Sequence, residues 1–193
     1  MNQFSIYFQL GLEHISDFQG IDHIVFLMTL CAVYSVSEWK KVTILVTAFT
    51  IGHSLSLALS ALHIVSANSQ LVEFLIPVTI LCTAVTNIFY ASESIRNNTF
   101  RYLIVLLFGI IHGLGFSNFF SALMGSNQSI TFPLFAFNIG LEVGQMLIVC
   151  AFFSLYFLLN RFKSFTHNKW KYLFSFTGAV IAIFLIYSRI SLL

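Results

Sequence analysis

Titratable side chains are concentrated directly ahead of one apolar segment. The run EHISDFQGIDH, from Glu13 to His23, holds three carboxylates and two histidines, and the residues that follow, IVFLMTLCAV, are apolar. The whole chain contains only seven acidic residues and six histidines. Imidazole and carboxylate groups together suit zinc, nickel, cobalt or iron better than magnesium or calcium. This stretch is therefore a candidate for binding a transition metal.

Further polar residues interrupt the apolar segments downstream. His53 and His112 each lie within a long apolar run, and Asn138, Glu142 and Gln145 share one helical stripe through their i, i+4, i+7 spacing. Such a stripe must face protein or water, because lipid offers no hydrogen-bond partner. The residue types predict a shared metal or proton-handling site, formed by Asp22, His23, His53, His112 and Glu142.

Two simpler interpretations stay open for these residues. Each buried polar group can be a satisfied hydrogen-bond partner between helices. Asp22 follows Gly20 and Ile21 at the start of an apolar helix, where Asp is a favoured N-cap.

The composition identifies a membrane protein. The chain is 58% hydrophobic and 8% charged, with a mean hydropathy of +0.90, whereas soluble domains carry roughly 25% charged residues. Residues 4–15 are too few to cross a ~30 Å hydrocarbon core. We expect a single all-α domain over 1–193, a polytopic membrane helical bundle in which 1–20 forms a short interfacial or re-entrant helix. Six transmembrane helices are predicted near 21–38, 41–62, 70–92, 101–123, 132–159 and 171–189.

The loop charges predict the orientation of the bundle. Lys and Arg occur in the first, third and fifth loops, and the second and fourth loops carry none. By the positive-inside rule both termini lie outside the cytoplasm, in what we expect to be a bacterial inner membrane. Asp22 and His23 then lie at the outer mouth of the first span, and His53, His112 and Glu142 lie near mid-depth, giving an outward-facing site. Glycines beside these residues, such as Gly52, predict close helix approach.

Five ordered motifs resemble the second subgroup of the HupE/UreJ family of small membrane proteins. They are GLEHI, GIDHIVFL, TAFTIGHSLSLAL, FGIIHGLGF and FNIGLEVGQ, between about residues 8 and 150. The resemblance implies a nickel or cobalt permease. It also implies a functional set that adds His14 to the five residues above, with Asn138 and Gln145 in support. Seven residues separate His14 from Asp22-His23 where the family pattern usually has five, and the added pair rotates His14 relative to His23.

Three functions follow from these observations. The first is inward transport of a divalent transition metal (nickel or cobalt by resemblance), with imidazoles replacing part of its hydration shell. The second is a zinc-dependent hydrolase at the outer leaflet, with Glu142 as the catalytic base. The third is metal delivery to a membrane partner protein. Assembly of the chain into a homo-oligomer is also compatible with the sequence. The expected partners are the metal ion and the lipid bilayer, with no nucleic acid.

Overall fold

The regular structure is helical throughout the part of the chain that the computed structural model describes. That part comprises residues 2–17, 20–90, 92–96, 99–124, 129–161 and 166–190. A short 3-10 helix over Val36–Glu38 precedes the third of eight α-helices. These are α1 (Gln3–Ser16), α2 (Ile21–Cys31), α3 (Trp39–Ala61), α4 (Ser69–Phe89), α5 (Ser92–Arg96), α6 (Phe100–Met124), α7 (Thr131–Asn160) and α8 (His167–Ile190).

Five of the described helices are long and apolar enough to cross a membrane, namely α3, α4, α6, α7 and α8. They correspond to the second to sixth predicted spans. The predicted first span, 21–38, differs, because α2 has only 11 residues and is therefore about 17 Å long. Beyond the end of α2 at Cys31, Ser35 and Glu38 form a capping box that starts a new helical segment.

The N-terminal helix α1 packs lengthwise on α7 and belongs to the bundle. The Phe4 ring lies 6.3 Å from that of Phe132 at the start of α7. Further along, a Cβ on Gly140 would overlap the Phe8 carbonyl, and one on Gly144 would overlap the Ile15 side chain. The two helices thus run parallel along the first half of α7.

Helix α2 begins near the end of α1 and runs toward the opposite end of the bundle. Its last turn is held from two neighbouring helices, since Asn87 Nδ2 donates to the Thr29 carbonyl at 2.7 Å and Arg101 Nη2 to the Leu30 carbonyl at 3.3 Å. Asn87 is near the end of α4, and Arg101 is in the first turn of α6. We call this end of the bundle, which also carries Lys40 and Lys171, the basic end.

Helices α3 and α6 approach closely through glycine, as predicted from the sequence. A Cβ on Gly52 would overlap the Leu106 carbonyl, and one on Gly109 would overlap the Phe49 carbonyl. Any larger residue would force these backbones apart. The approach fixes His53 and His112, one on each helix, at similar heights in the bundle.

Candidate metal centre

Three histidines from three helices meet in the interior. His14 comes from the last turn of α1, His23 from the first turn of α2 and His53 from the second half of α3. One ligand atom from each lies within 4.8 Å of the other two. The ring centroids are 4.7 Å apart for His14 and His23, 5.5 Å for His14 and His53, and 6.2 Å for His23 and His53. We call these three residues the histidine cluster.

The cluster nitrogens have the chemistry of metal ligands. His23 and His53 are buried and His14 is half-buried. Within the described part of the chain, Nε2 of His14 and both ring nitrogens of His23 and of His53 are buried and have no hydrogen-bond partner. A buried polar group left without a partner costs free energy, which a bound cation would recover. The interhelical hydrogen bonds that offered the simpler interpretation are not seen at these nitrogens.

His112 lies next to the cluster. Its ring centroid is 5.1 Å from that of His23, and its Nε2 is 3.1 Å from Thr79 Oγ1. Thr79 donates its single hydroxyl proton to the Ile76 carbonyl at 2.7 Å, so it accepts from His112 Nε2. His112 then keeps its proton on Nε2. Its Nδ1, buried and without a described partner, carries the lone pair that a metal needs.

Phenylalanine rings enclose the histidines. Phe116 lies 4.0 Å from the His14 ring, Phe137 lies 6.2 Å from His53, and Phe49 and Phe26 lie 5.1 Å and 5.3 Å from His112, all between ring centroids. An apolar shell limits water access and strengthens the interaction of a cation with its ligands.

Asp22 supports the cluster through His23. It lies in the first turn of α2, where a negative charge is favourable, but the N-cap residue is Gly20. Asp22 Oδ1 accepts the backbone N–H of His23 at 3.1 Å and lies 3.4 Å from His23 Nδ1, just beyond the geometry of a hydrogen bond. A carboxylate beside a ligating imidazole commonly orients the ring and raises its basicity. In this arrangement His23 would be left with Nε2 to bind a metal.

The other oxygen of Asp22 is paired with Arg189 from the last turn of α8. Arg189 Nη2 lies 3.2 Å from Asp22 Oδ2, and its Nη1 donates to the Glu73 carbonyl at 2.7 Å. That carbonyl is free because Pro77, four residues later inside α4, has no N–H to donate to it. The Glu73-Pro77 spacing was the one sequence signal for this contact, and sequence reasoning missed Arg189.

The remaining predicted residues lie on α7, outside the histidine cluster. Glu142 is half-buried and accepts a 2.6 Å hydrogen bond from Thr47, and Gln145 is fully buried and accepts a 2.7 Å bond from Thr50. Asn138 is half-buried, and its Oδ1 has no described partner. Thr50 and Thr47 precede His53 on α3, so these pairs follow the cluster toward the basic end.

The centre is deeper in the bundle than the sequence predicted. His23 was expected at the mouth of a span, yet its ring contacts those of His53 and His112, which lie in the interiors of long helices. The reason is that α1 occupies the space beside the first half of α7. The chain therefore reaches the start of α2 only after descending into the bundle.

Comparison with known proteins identifies the family. No curated protein and no solved structure matches the chain. The family described as HupE / UreJ protein matches residues 1–189, nearly the whole chain. The matched region includes every helix that positions the histidine cluster, and on this evidence the chain belongs to the HupE/UreJ family of membrane proteins.

Proposed function

We propose that this protein transports a divalent transition metal, nickel or cobalt, across the bacterial inner membrane. The observation that carries the proposal is the meeting of His14, His23 and His53 with buried, unpartnered ring nitrogens. Neutral imidazoles suit nickel and cobalt, and the family is linked to the handling of these metals. His112 and Asp22 complete the proposed set, with Asp22 acting through His23.

The path of α1 and α2 supports transport. Each is too short to cross a membrane alone, but together they run from beside Phe132 to beside Arg101. We propose that α1, which ends at Ser16, and α2, which begins at Ile21, together form a sixth crossing with the metal site where the two helices meet. Secondary transporters commonly build midplane ion sites from such discontinuous helices.

The pairs on α3 and α7 offer an onward route. Thr50 and Thr47 precede His53 by three and six residues, about 4.5 and 9 Å along the helix axis. The bonds from Thr50 to Gln145 and from Thr47 to Glu142 place oxygen ligands on that side of the cluster. A metal leaving the imidazoles could be met by Glu142 before it reaches the basic end, which the positive-inside rule assigns to the cytoplasm.

Metal binding and uptake by the purified protein test the proposal. Full-length protein would be reconstituted into liposomes containing a nickel- or cobalt-sensitive dye, and the bound metal would be measured by elemental analysis. We expect exchangeable metal and saturable uptake, and at least a tenfold weaker affinity in His23→Ala and His53→Ala, since each loses a direct ligand. His63→Ala is the matched control, because His63 is exposed in the turn after α3. Equal affinities in all three variants would reject the site.

A zinc-dependent hydrolase is the second candidate, and one observation favours it. Three converging histidines with a carboxylate behind one of them resemble the ligands of catalytic zinc, which leave a position for water. The base proposed from the sequence, Glu142, is bound to Thr47 outside the cluster. Tightly held stoichiometric zinc, together with no dye response, would favour the hydrolase over the transporter.

A further inference from the structure

A cavity lies at the basic end of the bundle, away from the histidine cluster. Its volume is about 450 Å³, and it is bordered by α2, α4, α5 and α6. The lining combines apolar residues with hydroxyl groups and one guanidinium, including Leu30, Thr83, Thr86, Tyr90, Arg101 and Phe108. No part of the proposed metal site lines it.

Arg101 is the charged group of this cavity and is 92% buried, with a relative exposure of 8%. Its Nη2 donates to the Leu30 carbonyl at 3.3 Å, and the guanidinium lies 5.6 Å from the centre of the Tyr34 ring. Its Nε is buried without a hydrogen-bond partner, and no carboxylate in the described ranges pairs with it. A buried charge without a counter-charge is strongly unfavourable. A bound anion would offset this cost for the Arg101 guanidinium.

A second buried cation adjoins the same cavity. Lys171, 4% exposed, places Nζ 3.5 Å from the carbonyl of Tyr90, a lining residue, and 4.5 Å from the centre of the Tyr172 ring. None of the described carboxylates forms an ion pair with it. Two buried cations on α6 and α8 therefore share one region, and none of the acidic residues in the described ranges is paired to either.

The walls of the cavity indicate that the ligand also has an apolar part. Ile104, Val105 and Phe108 form one apolar side, and Cys82, within the apolar span α4, is exposed on the bundle surface beside the opening. Exposed surface along a spanning helix faces hydrocarbon, so a ligand entering here comes from the bilayer. Basic pockets between membrane helices on the cytoplasmic side bind anionic lipid head groups.

We propose that this cavity binds an anionic phospholipid. Its phosphate pairs with Arg101 through charge-assisted hydrogen bonds, with Lys171 adding positive potential, and one acyl chain follows Ile104 and Phe108. This assignment does not depend on metal transport, because it uses neither the histidine cluster nor Glu142.

Native mass spectrometry of the full-length protein tests the assignment. Phosphatidylglycerol and phosphatidylcholine with identical acyl chains would be titrated in detergent. We expect wild type to bind phosphatidylglycerol more tightly, and Arg101→Gln to lose about tenfold or more of that affinity, the effect of removing one charged hydrogen-bond partner. Lys40→Gln is the control, since it removes the same charge from an exposed residue at the same end. An unchanged preference for phosphatidylglycerol in Arg101→Gln, or an equal loss in Lys40→Gln, would overturn the proposal.

Two further measurements test the proposal independently of the Arg101→Gln result. If Arg101→Gln does not fold, Thr86→Phe fills the cavity and keeps the guanidinium, and it should reduce phosphatidylglycerol binding to a similar extent. Retention of full binding in this variant contradicts the site. Millimolar inorganic phosphate should fail to displace the lipid from wild type. Complete displacement would show that the cavity takes a free phosphate anion and would reject the phospholipid.

Discussion

The carboxylate of Asp22 is neutralised by Arg189, whose Nη2 lies 3.2 Å from Asp22 Oδ2 although the two residues are 167 positions apart. The pairing joins the end of the last helix to the residue that supports His23. It also brings a fixed positive charge close to the proposed metal position, where it opposes a divalent cation.

Removing this charge should strengthen metal binding. We expect Arg189→Gln to raise nickel or cobalt affinity about tenfold, because Asp22 then keeps its full charge beside the cluster. Glutamine retains an amide that can donate to the Glu73 carbonyl. Calorimetric titration of the purified protein measures the affinity, and Arg161→Gln, an exposed arginine at the end of α7, is the control. A loss of affinity would mean that Arg189 acts mainly by holding Asp22 in place.

The hydrogen bond between Thr79 and His112 should matter for metal affinity. Thr79→Val removes the acceptor that fixes the proton of His112 on Nε2, so we expect metal binding to weaken about tenfold, as is typical for groups that orient a ligand. Thr43→Val is a matched control, because the described bond of Thr43 is to the Trp39 carbonyl of its own helix. Wild-type affinity in Thr79→Val would place His112 outside the metal site.

Glu142 should affect movement of the metal more than its binding. Since its described bond is to Thr47 and it lies outside the histidine cluster, we expect Glu142→Gln to keep metal affinity within about twofold and to slow uptake about tenfold or more. Binding and liposome uptake would be measured on the same preparations, with Gln70→Glu as an exposed control for a Gln-Glu exchange. A fall in metal content as large as that in His53→Ala would make Glu142 a direct ligand.

The orientation of the bundle is open to labelling. In a background with Cys31, Cys82 and Cys150 replaced by serine, we expect a cysteine at Ser66 to react with an impermeant maleimide from outside intact cells. A cysteine at Ser37 should react only after the membrane is opened. Position 165, which the sequence also places on the inner side, lies outside the described residues. The reverse pattern would invert the positive-inside assignment.

The sequence alone identified the class of protein and predicted a set of site residues, of which the structure brings His14, His23 and His53 together. A charge content of 8% and long apolar runs require a membrane bundle, and the boundaries of five spans follow from where those runs end. His23, His53 and His112 were predicted to share a site because an ionisable residue inside an apolar span needs a polar partner. The glycines of α3 and α6 were correctly assigned to close helix contact.

Tertiary structure decided the depth of the candidate site and the partners of each predicted ligand. Local patterns show which face of a helix is polar, but they do not show how far a short helix descends, and so His23 was placed at the mouth of a span. The packing of α1 against α7 carries His14 down to His23. Arg189 pairs with Asp22 and also donates to the Glu73 carbonyl, which Pro77 leaves free on α4. Contacts of this kind join residues more than a hundred positions apart, and they depend on how the helices pack together.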